Sequence, residues 1–268
     1  MWEAAMFGAI AQSALLAGAV LVWKFPSLKR PVIVGALMAF GAGAVISAVA
    51  IDLVAVAYDE AGAGPTALGI GIGCLLYFGI IALLERKGET EQPSEVIAVE
   101  AHAAAPADAA HGAGGHEHGA TKKEARNLTI GMVIDGVPES IAVGLTLHTA
   151  TVGVSAALVG SIFISAIPEA IGIAAALLAG GLVIGKILLR FSMIVVIGAV
   201  FSALGYTLLY GASDSMQAII QSVAAGALLV VVINEMIPIA VRSVKNWAGI
   251  IGAAGFVFSA GLTWAAGG

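Results

Sequence analysis

The chain has 268 residues, 60% hydrophobic and 11% charged, with a formal net charge of −5 and a mean hydropathy of +1.02. Soluble domains carry about 25% charged residues, so this composition excludes a soluble protein. A single cysteine, Cys74, excludes an internal disulfide and any cysteine-based metal cluster.

A helix needs about 20 apolar residues to cross the hydrocarbon core. Eight stretches have that character: 4–24, 31–57, 66–84, 127–148, 153–178, 186–210, 217–240 and 246–266. None alternates as a membrane barrel strand does. The expected fold class is therefore an all-α membrane protein with eight transmembrane helices. The first run carries Glu3 where a signal peptide has basic residues, and it reads as a helix. Residues 1–85 then hold helices one to three, 86–126 a long connection, and 127–268 helices four to eight. The glycines and abundant alanines read as packing surfaces between helices, and Cys74 as a small packed residue of the third helix.

All twelve Lys and Arg residues fall between alternate runs. Lys24, Lys29 and Arg30 follow the first run, and Arg86, Lys87, Lys122, Lys123 and Arg126 follow the third. Lys186 and Arg190 follow the fifth, and Arg242 and Lys245 the seventh. Basic residues collect in cytoplasmic loops, which predicts cytoplasmic odd-numbered connections and both termini outside. The long connection carries seven acids and four of the five histidines and is expected to be disordered. Within its HGAGGHEHGA tract, His111, His116 and His118 either converge on a transition metal or belong to a solvated linker.

The chemistry lies in acids inside the apolar runs. Asp52 is in the second helix, Asp135 and Glu139 in the fourth, Glu169 in the fifth and Glu235 in the seventh. An ionised side chain at the bilayer centre costs about 2.5–3.5 kcal/mol on insertion scales, and no Lys or Arg lies deep enough to neutralise these. The counter-charge must come from protons, a bound cation, or both; the alternative is a set of protonated carboxyls that hydrogen-bond between helices. Asp135 and Glu139 are four residues apart, as are Ser165 and Glu169, so each pair shares a helical face. Glu139 follows Pro138, Glu169 follows Pro168, and Asn234-Glu235 precede Pro238. Each proline frees the carbonyl four residues earlier, a further oxygen for a cation. By position along the helices, Asp52 lies toward the outer end and Glu235 toward the inner end of a candidate relay; His148 reads as interfacial.

Asp135-Gly136-Val137-Pro138-Glu139-Ser140-Ile141-Ala142 and Ser165-Ala166-Ile167-Pro168-Glu169-Ala170 resemble the fourth- and fifth-helix motifs of the ZIP family of divalent-metal transporters. The resemblance implies eight helices, a His-containing cytoplasmic loop after the third, and a metal centre between the fourth and fifth. Position by position, it implies that Glu139 and Glu169 are ligands and that Asp135 stands where a histidine is usual. Gly136 replaces a common Asn, and Ser165-Ala166 replace stronger ligands. A binuclear centre is therefore expected to be reduced to one subsite made of Asp135, Glu139, Glu169 and Ser165. An all-oxygen set shifts preference toward Mn²⁺ or Fe²⁺, and carboxylates also bind Zn²⁺.

The expected activity is ATP-independent movement of a divalent cation toward the cytoplasm, by alternating access, in a homodimer of the plasma (inner) membrane. The expected partners are the metal as transported substrate and the lipid bilayer, with no nucleic acid. The alternative is a proton- or sodium-coupled carrier of a small organic solute. An enzyme is not expected, because the paired histidines of an intramembrane metalloprotease are missing.

Overall fold

The computed structural model describes residues 1–86, 122–149, 152–179, 181–208 and 213–267. Among these residues there is no strand, and seven helices are long and apolar enough to cross a membrane. The chain is a multi-pass helical membrane protein. We number the helical rods α1 (Trp2–Lys24), α2 (Pro31–Ala61), α3 (Ala63–Arg86), α4 (Lys122–Thr149), α5 (Val152–Ala179), α6 (Ile184–Leu208), α7 (Ser215–Val244) and α8 (Trp247–Gly267). The described apolar part of α4, Gly136–Leu147, is shorter than a full span.

Local chemistry sets the ends of these rods. Pro31 occupies the first turn of α2, where its missing N–H would have had no partner. Gly62 ends the same rod with φ +79° and ψ −178°, a region essentially confined to glycine that costs other residues about 1–3 kcal/mol. Only that residue separates α2 from α3, so the two run antiparallel. Thr66 donates a hydrogen bond to the Gly62 carbonyl at 2.9 Å and secures the start of α3.

α1 is interrupted at Ser13, whose hydroxyl donates to the Ile10 carbonyl at 2.6 Å. Two rods contain a π-helical stretch, Val49–Ala55 in α2 and Val232–Met236 in α7. Such widened turns are rare and free backbone groups from the regular ladder.

Large apolar side chains point outward as well as inward. Leu189, Met193, Val196, Val200 and Leu204 form an exposed stripe along α6, and α3 exposes Leu68, Leu75, Phe78 and Leu83. Helices hydrophobic all round are suited to lipid. The interior is centred on α2, α5 and α6, where Met38, Leu53, Ile171, Ile173, Leu177, Ile187 and Phe191 are fully buried.

Helix packing divides the rods into two sets. α1, α4, α5 and α6 contact one another; α2 contacts α3, α7 and α8, and α7 contacts α3 and α8; between these sets α5 packs on α2 and α8, and α4 on α7. Glycines make the closest approaches within each set. Gly144 and Gly205 bring α4 and α6 together, Gly43 and Gly255 seat α2 on α8, and Gly73 and Gly226 seat α3 on α7. Each of these glycine contacts joins two helices of the same set. Across the sets, where α5 faces α8, Gly160 meets only Leu262 Cδ1, at an ordinary 3.9 Å.

Candidate metal centre

α4 and α5 pack against each other, and each carries a Pro-Glu pair at mid-helix. Pro138 sits inside a continuous α4. Beside it, Ser140 donates to the Gly136 carbonyl at 2.7 Å. Glu139 is buried, at 9% exposure, and Glu169 is half-buried on α5. The backbone sets Asp135 one turn before Glu139 and Ser165 one turn before Glu169; the side chains of Asp135 and Ser165 lie outside the described residues. The same is true of the Glu235 side chain and of all of His111, His116 and His118.

The group nearest to Glu139 that sequence reasoning missed is Gln12 of α1, buried at 2% exposure. Its Nε2 lies 3.4 Å from three oxygens of α4: the Gly136 carbonyl, Glu139 Oε2 and Ser140 Oγ. A lone Gln in the apolar run of α1 was the available signal, since polar side chains in membrane helices bond across to neighbours. Being uncharged, it does not stand out in a search for acids.

Asp52 is not part of this group. It lies in the π-helical stretch of α2 at 1% exposure, and its Oδ2 accepts from Thr263 Oγ1 of α8 at 3.4 Å. Its Oδ1 has no hydrogen-bond partner among the described residues. One turn along α8, Ser259 shares a 2.7 Å hydroxyl–hydroxyl bond with Ser161 of α5. These buried hydroxyls, also missed from sequence, line the junction between the two helix sets. Glu235 belongs to the other π-helical stretch, in α7. The proline expected to free the Asn234 carbonyl is thus accompanied by a wider local rearrangement, while the matching distortion around Asp52 has no proline to announce it. Cys74, read as a packed residue, is half-buried, with its thiol 3.4 Å from the Gly226 carbonyl of α7.

Among the described residues no three His, Cys, Asp or Glu side chains converge as a metal cluster. A cleft of about 390 Å³ between α2, α7 and α8 is lined by Ala39, Gly43, Ile46, Ile237, Gly252 and Phe256 with other apolar or small residues. It offers nothing to an ion. The described polar centre is therefore Glu139 held by Gln12, whose amide also reaches Ser140, with Glu169 on the adjoining helix. No protein-family model and no curated protein matches the chain.

Proposed function

We propose that the chain is a ZIP-like divalent-cation transporter with eight membrane helices, both termini outside, and a metal centre between α4 and α5. The observation that carries the reading is Glu139: a carboxylate buried at mid-helix in an apolar run, held on one side by the uncharged Gln12 amide, with a second glutamate, Glu169, on the adjoining helix. With Asp135, Glu169 and Ser165 it would form an all-oxygen set suited to Mn²⁺ or Fe²⁺ and tolerant of Zn²⁺. Metal binding displaces protons from such carboxylates, which couples the site to pH.

Movement of metal toward the cytoplasm follows alternating access. The set α1, α4, α5 and α6 carries the site and shifts against α2, α3, α7 and α8. Close glycine contacts that join α4 to α6, α2 to α8 and α3 to α7, each pair within one set, support this division. Asp52 and Glu235 flank the route as outer and inner acids, and the functional unit is a homodimer in the plasma membrane.

Reconstitution into proteoliposomes tests the reading. Wild-type protein is expected to take up Mn²⁺ or Zn²⁺, and Glu139→Ala, Glu139→Gln and Glu169→Ala are expected to abolish uptake while leaving helicity and melting unchanged. Normal uptake by both alanine variants refutes the assignment. Uptake of an organic solute instead of metal by the wild type supports the carrier reading.

A further inference from the structure

Gln12 ends the first segment of α1, immediately before the break at Ser13. Two glycines enclose its side chain. A Cβ on Gly136 of α4 would stand 3.3 Å from both terminal atoms of the amide, and a Cβ on Gly198 of α6 would stand 2.5 Å from Gln12 Cγ. A larger residue at either place would crowd the amide, so the two glycines create the slot that Gln12 fills. Within it, Nε2 is 3.4 Å from the Gly136 carbonyl, Glu139 Oε2 and Ser140 Oγ. The carbonyl and an ionised carboxylate only accept, so the NH₂ end of the amide is the end that faces them.

We infer that Gln12 is the positioning residue of the centre: it holds the Glu139 carboxylate ready for a divalent cation by donating from a neutral amide. The inference rests on Glu139 being a metal ligand. A ligand held before the ion arrives avoids an ordering cost at each binding event. Lys or Arg would hold the carboxylate equally well and cancel the charge that attracts the cation. An amide carries donors without net charge, so this contact holds Glu139 without cancelling its charge. Because Gln12 reaches from α1 into a slot walled by α4 and α6, the position of Glu139 depends on how these three helices pack.

The test is calorimetric titration of Mn²⁺ into purified wild type, Gln12→Leu, Gly136→Asn and the double variant Gln12→Ala/Gly136→Asn, with thermal melting of each. Gln12→Leu refills the slot with similar volume and no donor; affinity is expected to fall about tenfold with melting little changed. Gly136→Asn alone pushes a second amide into an occupied slot and also weakens binding. The double variant delivers an amide from α4 into the space vacated from α1, three residues from Glu139 on the same helix, and is expected to restore affinity toward wild type. Unchanged affinity in Gln12→Leu, or a lowered melting temperature with no rescue by the relocated amide, overturns the proposal. Wild type that binds no Mn²⁺ overturns the metal-centre reading itself, and the proposal with it.

Discussion

Charge and hydrogen bonding compete at the level of single residues in the centre. Glu139 is buried against the Gln12 amide, a donor that orients a carboxylate without adding charge. The same logic gives Asp135 its interest, since the backbone sets it one turn before Glu139 on α4, at the position where the ZIP resemblance implies an imidazole. Asp135→His is expected to raise the Zn²⁺-to-Mn²⁺ affinity ratio, because a nitrogen ligand favours the softer ion. It also removes one negative charge, so absolute affinities for both ions should drop. Titration of the two metals into wild type and variant decides the matter, and an unchanged or reversed ratio would mean that Asp135 is not a ligand.

Individual helices are shaped by small residues and by local widening. Where glycine lets two backbones touch, a side chain cannot be inserted without parting the helices. Gly43→Leu on α2 would collide with the Gly252 carbonyl of α8. It is expected to destabilise by about 1–3 kcal/mol or more, the range for overpacking a close contact. Gly71→Leu on α3 meets nothing within 4 Å and should leave stability essentially unchanged. Melting of the two variants in one detergent provides the comparison; equal losses would contradict the packing. The π-helical stretches of α2 and α7 each carry one of the acids outside the centre, Asp52 and Glu235. Freed backbone groups beside an intramembrane acid are what an ion or proton route requires.

In the whole molecule, the two helix sets meet where α5 faces α2 and α8 and where α4 faces α7. At the α5–α8 part of this junction, Ser161 and Ser259 share a hydroxyl bond and Gly160 meets Leu262 at an ordinary van der Waals distance. If alternating access moves one set against the other, a covalent tie across the junction must stop it. Ser161 of α5 and Ser259 of α8 have hydroxyls 2.7 Å apart, close enough for the corresponding thiols to join within disulfide geometry. In a Cys74→Ala background, oxidised Ser161→Cys/Ser259→Cys protein is expected to lose uptake and recover it on reduction. Full uptake by the cross-linked form would show that these two helices do not separate during transport.

Much of this protein follows from local chemistry and was legible in the chain alone. Apolar runs of about 20 residues become helices because lipid leaves backbone polar groups no other partners. The rods accordingly lie within a few residues of their expected bounds, α2 and α3 running on to either side of Gly62. Glu139 and Glu169 announced themselves because a carboxyl in an apolar run is costly and adjoins a proline. Asp52 announced itself on cost alone, but its separation from the centre, its partner Thr263 and the nearby Ser259–Ser161 pair did not. Those partners come from α5 and α8, more than 100 residues along the chain, and one-dimensional spacing carries no record of them. Gln12 is the clearest case. Its role depends on two glycines of α4 and α6 being brought to one point of α1, and only the packed helices decide that a neutral amide in an apolar run is the group that touches Glu139.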